Sequence, residues 1–556
     1  MATRKKHITT PYEQARKKHR EVTSRHVLVV EAQIKEDDKR KLFHIADELR
    51  FYGNHLTNIA KKRLDQLFRT KAYREALQRY KNTKVLLNAL EKDSAEYAAA
   101  KKKVKAAADK LANLQKQYKI TFDDLCHDMI KISAKSNALA VFLLSKTEDV
   151  WSAAQSILYG SGKQLHYANR GDLPIIRAKQ IERGITMSFV NGVAQCRMRD
   201  IEPFTIVPKE NDFFAKNELA CIEKFLSDPK TEENAVTTYL KSGIPQDTYR
   251  PCYIALKCKT IRGKLRVYAH ITIEGHPLPK YTKSGKLKHP CGKGPIGVDL
   301  GTQSVAVVSD SEAILVNLAE RNNKTTKLRE NKERRIQRYL DRSRRANNKD
   351  RYNENGTVKK GIRKRWKKSK RYRASEAYLK EIRRKNAASR KCANNELANT
   401  IRTMGDDLTI EKANFKALQK KAKPSTPEKE EKPKRRKRFG HSIQNRCPGH
   451  LYAQLRYKFG ENHFHVVSDS YRASQYDHKN DTYIKKKLRQ RWHSFDDGTK
   501  VQRDIYSAFL LLCHDDTFEK ADREICISKY NNFKDAYDLC VSTIKSSGFV
   551  VCNSGI

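Results

Sequence analysis

Three short segments of this chain each carry one acid in an apolar frame: IGVDLGTQSVAVVSD at 296–310, LTIEKANF at 408–415 and VQRDIYSAFLLL at 501–512. They offer Asp299, Glu411 and Asp504, spaced by 112 and 93 residues. Acids this far apart in sequence converge only through a folded core. Three converging carboxylates form a hard, anionic oxygen site suited to Mg²⁺ or Mn²⁺. Two such metals clamp the attacking and leaving oxygens of a phosphodiester.

The elements that position these acids follow from the pattern. In 296–300, Ile296 and Val298 point one way in a strand, Gly297 and Asp299 the other. Gly301 allows a tight turn, and SVAVVSD makes a partner strand. An acid on the central strand of such a hairpin opens a ribonuclease H-like fold, although sugar-kinase and actin-like ATPases also begin with an Asp-x-Gly strand. LTIEKANF is a second strand with Glu411 where it emerges. VQRDIYSAFLLL is a helix with Asp504 in its first turn, above a packing face containing Ala508 and Leu511. Small Ala508 lets that helix approach the sheet. Taken singly, Glu411 reads as a surface residue rather than a ligand and Asp504 as an acid favouring the helix dipole. Their order and company give them the shared reading.

Composition sets the partner class. The chain has 556 residues, 115 Lys plus Arg against 64 Asp plus Glu, and a formal charge of +51. That excess points to a polyanion, with many phosphates neutralised together. A ribosomal or chromatin-type binding protein has the same charge signature. No run of 18 apolar residues implies a membrane span, and the basic N-terminus lacks the apolar core of a secretory signal. The 12 Cys are scattered without a Cys-x-x-Cys pair, as expected for reduced thiols in a cytoplasmic protein.

Residues 1–25 read as a flexible basic arm, and 26–34 as a strand. Apolar residues Leu42, Ile45, Ala46, Leu49, Leu56 and Ile59 recur at helical spacing. Tyr97, Ala100, Val104, Ala107, Leu111, Leu114 and Tyr118 form a heptad seam. Residues 185–198 make a hairpin turning at Asn191-Gly192, and 253–274 a second turning near Arg262-Gly263. The strand at 26–34 is expected to join this sheet, with the helices inserted between. Residues 321–400 hold 29 Lys/Arg and 8 Asp/Glu and read as two basic helices around a turn at Asn353–Gly361. Arg334, Arg335, Arg338, Arg342, Arg344 and Arg345, with Trp366, Tyr372 and Tyr378 nearby, suit a phosphate-binding surface. Residues 420–438 have three prolines and almost no apolar residues, the composition of a mobile loop.

The ordered set resembles the split RuvC-type nuclease domain of TnpB proteins and type V CRISPR effectors, best over about 295–513. The basic helix pair, NFKALQKK at 414–421, and HLYAQLRYKF at 450–459 followed by HFHVVSDSYRASQ at 463–475 extend it. Ala473-Ser474-Gln475 stands where that family has a Thr/Ser-Ser-Gln element. The resemblance implies an α+β multidomain, bilobed chain: a basic arm and first wedge strand (1–35), a helical recognition lobe (36–160), a β-rich wedge domain (161–290), a RuvC-like α/β nuclease domain with a basic helical insertion (291–513), and a C-terminal helical segment (514–556). It implies RNA-guided DNA cleavage, with a guide RNA, a target DNA bearing a short adjacent motif, and two Mg²⁺ or Mn²⁺ held by Asp299, Glu411 and Asp504. The setting is the prokaryotic cytoplasm, at the nucleoid when on DNA. A guide-independent RuvC-fold nuclease or resolvase, and a cleavage-silent RNA-guided repressor, are alternatives.

One departure stands out. Many relatives carry a four-Cys zinc ribbon after the Ser-Gln element, whereas 476–500 has no cysteine. His478 and His493 alone do not make a tetrahedral zinc site, so no zinc is expected. Tyr476, Tyr483, Ile484, Leu488 and Trp492 are expected to form an apolar cluster instead. His463 and His465 read as sheet packing rather than metal ligands.

Overall fold

A computed structural model describes residues 10–556 apart from 89, 91–93, 161, 170, 229, 283, 320–322, 360, 362–365, 420–439, 461, 488 and 549. The loop expected at 420–438 lies outside the described residues. The chain divides into two compact units, Met1–Pro279 and Lys280–Ile556. No helix among the described residues is long and apolar enough to cross a membrane.

In the first unit, residues 11–22 are helical rather than a flexible arm: α1 spans Pro11–Val22. Thr10 and Glu13 close a capping box, with Pro11 in the first turn, a start signal that overrides the high charge. Arg16 and Arg20 both pair with Glu232 of a later helix, Lys230–Ser242. Strand β1 (Arg25–Gln33) leads into five helices, α2 (Glu36–Arg69), α3 (Lys71–Asn88), α4 (Ala95–Gln117), α5 (Phe122–Ile132) and α6 (Ala140–Leu158). Leu42, Leu49 and Leu56 on α2 and Leu111 on α4 are buried, as their spacing predicts. Strands β2 (Ile175–Arg177), β3 (Ile185–Val190), β4 (Val193–Met198) and β5 (Ile201–Ile206) follow. Helices α7 (Phe213–Ser227) and α8 (Lys230–Ser242) precede the long hairpin β6 (Arg250–Ile261) and β7 (Lys264–Glu274). The sheet order is β2-β6-β7-β1-β5-β4-β3, so β1 does sit inside the sheet with the helices inserted after it. Both tight turns take left-handed backbone, at Asn191-Gly192 and Arg262-Gly263, which matches the strand twist.

In the second unit a five-stranded sheet runs β10-β9-β8-β11-β12. Its strands are β8 (Pro295–Leu300), β9 (Ser304–Ser309), β10 (Ala313–Asn317), β11 (Asp407–Glu411) and β12 (Phe464–Val467). The first three form an antiparallel meander; β11 pairs parallel with both β8 and β12. Between β10 and β11 run the helices α9 (Asn323–Asn347) and α10 (Lys370–Met404). Between β11 and β12 lie α11 (Phe415–Gln419), α12 (Gly440–Arg446) and α13 (Pro448–Phe459). One face of the sheet carries Ile296, Val298, Leu408 and Ile410 against Ala398 and Ile401 of α10 and Leu451 and Leu455 of α13.

The opposite face receives α14 (Arg503–Leu512). A Cβ placed on Gly297 would stand 1.9 Å from the Ala508 carbonyl oxygen and 2.5 Å from the Leu512 nitrogen. Backbone therefore meets backbone where β8 crosses α14, and only glycine fits. Helix α15 (Arg523–Ser546) adds Phe533, Ala536, Tyr537 and Cys540 to the same core as Ala508 and Phe509. Residues 514–556 thus belong to the second unit.

The short strands β13 (Tyr476–Asp477), β14 (Thr482–Tyr483), β15 (Trp492–Ser494) and β16 (Lys500–Gln502) occupy the stretch that lacks cysteine. Of the apolar cluster expected there, Tyr476 and Tyr483 meet, with ring centroids 5.0 Å apart, but the described residues do not close into a buried cluster. Tyr476 is buried, but Tyr483, Ile484 and Trp492 are 48%, 50% and 37% exposed, and Leu488 lies outside the described residues. The two histidines anchor the segment instead. The His478 Nδ1 lies 2.7 Å from the Tyr506 hydroxyl, and His493 stacks on Tyr506 at 4.6 Å. Imidazole rings join an aromatic core here because each finds a polar partner for its nitrogens.

Gly297→Val should cost about 3 kcal/mol or more by forcing α14 off the sheet. Thermal unfolding of the full chain should show a lower midpoint; an unchanged midpoint would contradict the close crossing.

Candidate functional site

The register of the sheet brings the first two acids together. Ile410 pairs with Val298 in the parallel ladder, so Glu411 and Asp299 are the next residues at the carboxyl ends of adjacent strands, which lie about 4.8 Å apart. That end of a sheet is where open α/β folds place ligands. Alternation turns both acids away from the α10 and α13 side, onto the face crossed by α14. Asp504 sits in the first turn of α14. The three carboxylates line one cavity of about 570 Å³.

Their electrostatics is that of a crowded anionic site. Burial, then the charges of Asp504 and Glu411, push the Asp299 carboxyl well above the usual Asp range, with Arg503 opposing. Burial also raises Glu411. Glu411 keeps exposed surface yet is hemmed in by protein atoms, as befits a group on a concave wall open on one side. Asp504 accepts from Arg503 at 2.9 and 3.1 Å and from the Gln502 amide at 3.3 Å. Gln502 also caps α14 through Ile505 N at 2.8 Å. One residue thus fixes both the helix start and the acid.

The donor set is all oxygen and mutually repelling, and a hard divalent cation offsets that repulsion. Among the described residues no three His, Cys, Asp or Glu side chains are already gathered as a ligand set. Asp504 is turned onto Arg503.

The same cavity takes Ser474 and Gln475 of the Ser-Gln element, together with Lys485, Lys486, Arg491 and Arg503. Cys552 and Asn553 line it as well. The chain end is held there by Asn317, which bonds Val550 O at 2.9 Å and Cys552 N at 2.7 Å. Sequence reasoning missed all four basic residues. The Lys485–Lys487 run and the Arg503-Asp504 pair were the visible signals, hidden in a chain with 115 cations. His465 bonds Asp407 at 2.8 Å and stacks on Phe518 at 4.7 Å, a packing role; His463 is exposed.

Helix α9 presents Arg334, Arg335, Arg338, Arg342 and Arg345 to solvent. Arg344 instead lies half-buried over Trp366, 5.3 Å from its ring centroid. Tyr372 does not belong to the phosphate-facing set: it is buried with Leu340 and Leu379 where the two helices pack. Tyr378 is exposed.

No protein-family model matches this chain, and no curated protein does. Among solved structures, the chain is similar to a Cas12f1–sgRNA–target DNA complex, at 11% identity and a TM-score of 0.40, covering 87% of this chain and 98% of that one. It is similar also to the Cas12i1 R-loop complex after target DNA cleavage, at 8% identity and a TM-score of 0.24, covering 97% of this chain and 66% of that one. At such overlap nothing about activity transfers.

The raised Asp299 carboxyl holds its proton more tightly folded than unfolded. It favours folding at low pH and opposes it once pH rises through its folded value. Asp299→Asn should therefore stabilise the metal-free protein at neutral pH by on the order of 1 kcal/mol, with the gain shrinking toward about pH 4, the ordinary Asp value. Thermal unfolding across that range is the check.

Proposed function

We propose that this chain is an RNA-guided DNA endonuclease whose phosphodiester-cleaving site is formed by Asp299, Glu411 and Asp504. The observation that carries the reading is the meeting of these acids in one cavity at the carboxyl ends of β8 and β11. Three supports stand beside it. The acids occur in the order and company that resemble the split RuvC-type nuclease. The strand bearing Asp299 is the centre of the five-stranded sheet, as a ribonuclease H-like opening requires. The net charge of +51 and the arginines exposed on α9 suit a chain that holds long phosphate backbones.

Asp299, Glu411 and Asp504 would hold Mg²⁺ or Mn²⁺. When bound, such ions activate water and stabilise the leaving oxygen of a phosphodiester. The protein's own contribution is positional. The sheet fixes two carboxylates, Gln502 fixes the third through the helix start, and the lysines and arginines of the cavity draw the phosphate backbone toward them. Sequence choice would fall to base pairing between a guide RNA and the target, with side chains reading only a short adjacent duplex. The guide would be held through phosphate and 2′-hydroxyl contacts.

Asp299→Ala should reduce metal-dependent DNA cleavage to background while the protein still co-purifies with its RNA. Cleavage at the wild-type rate by purified Asp299→Ala protein would refute the assignment. The RNA that accompanies the wild-type chain should be one discrete species with a constant scaffold and a variable segment. A heterogeneous mixture would leave only a guide-independent nuclease.

A further inference from the structure

A buried polar chain leads into the acidic cavity from the segment that lacks cysteine. Asp477 and His493 are each 1% exposed at their side chains. The His493 Nε2 lies 3.1 Å from Asp477 Oδ2, and its Nδ1 meets the Lys486 ammonium. Lysine has no acceptor, so Lys486 donates to Nδ1, and His493 must be the neutral tautomer that donates from Nε2 to Asp477. The other Asp477 oxygen accepts from the backbone of Lys479 at 3.0 Å and of Asn480 at 3.4 Å. The chain runs carboxylate, imidazole, ammonium, with each direction set.

Burial and the neighbouring Lys486 charge lower His493 to about 4, with Asp477 opposing, which keeps the imidazole neutral at working pH. The far end of the chain, Lys486, lines the cavity that contains Asp299, Glu411 and Asp504. A lysine stem is long and flexible, and fixing an ammonium at one spot costs side-chain entropy. A buried carboxylate alone could be satisfied by its backbone donors. The imidazole spacer extends the partnership as far as the cavity wall.

Resting on the nuclease reading above, we propose that Lys486 contacts a phosphate of the bound DNA strand in the acidic cavity, and that Asp477 and His493 are positioning residues that aim its ammonium. The imidazole takes one of its three donors, and the cation faces a site whose acids would otherwise repel the backbone. In this view the Asp477–His493 pair does for the segment what a structural metal does elsewhere: it fixes a loop and delivers a side chain.

The test is the salt dependence of DNA binding, read on the RNA-loaded full chain with a short target duplex and chelator present. Each phosphate contact contributes about 0.9 to the slope of log affinity against log salt on duplex DNA, or about 0.7 on a single strand. Lys486→Gln should lower the slope by that amount, and Lys486→Arg should retain it. Since Lys486→Gln strips Asp477 of its cation, the double variant Lys486→Gln/Asp477→Asn removes both charges and should show the same lowered slope. With metal added, both Gln variants should cut about a hundredfold more slowly. An unchanged slope in a folded Gln variant would show that Lys486 serves only as the counter-ion of Asp477, and the proposal fails. Wild type and Asp299→Ala are assayed alongside. Cleavage absent from both overturns the nuclease reading, while the slope still reads the phosphate contact separately.

Discussion

Everything at the candidate site depends on how closely α14 lies on β8. Asp299 is carried by the sheet and Asp504 by the helix, so their separation is set by the crossing of two backbones. Gly297 leaves no room in that contact: a methyl group there would overlap the Ala508 carbonyl. Only Val298 lies between Gly297 and Asp299, and alternation puts both on the same face. The residue that permits the approach and the residue that uses it are therefore fixed together.

The site is arranged against its own electrostatics. Three acids share one concavity, and the one most enclosed is held away from its charged form by burial and by its neighbours. Arg503 offsets part of this locally through Asp504. The rest of the unit supplies the stability such a centre needs: two apolar layers on the sheet, and an aromatic core in which Phe509 stacks on Phe533 at 4.2 Å. This is the usual division between a strained functional edge and a well-packed interior.

Much of the fold was legible because it rests on local rules. Both hairpins have left-handed turn residues where Asn-Gly and Arg-Gly stand, and the strand at 26–34 enters the sheet expected of it. The meeting of the three acids in one cavity was legible because each lies at the end of an apolar run whose period is plain. What was missed has a common cause. The capping box at Thr10–Glu13 was masked by the charge around it. Of the cluster expected of Tyr476, Tyr483, Ile484, Leu488 and Trp492, Tyr476 and Tyr483 pack together while Ile484 and Trp492 stay exposed, because apolar type says nothing about partners: the neighbouring histidines were the better anchors, once Tyr506 was brought to them by tertiary contacts. Tyr372 was likewise assigned to a surface by its company in sequence, whereas the helix period turns it inward.

The connectivity of the five-stranded sheet bears on how such a chain can vary. Long stretches leave the sheet between β10 and β11 and again between β11 and β12, yet the parallel ladder of β11 with β8 and β12 is continuous. Lengthening a connection whose ends are already held by a ladder is thermodynamically mild, about 0.6 kcal/mol for each doubling of a flexible loop. The helices and loops that would grip different polymers are thus free to grow, shrink or be exchanged, while the carboxylates stay in register. A lineage built on this plan can remake its outer surfaces long before it alters the spacing of its acids.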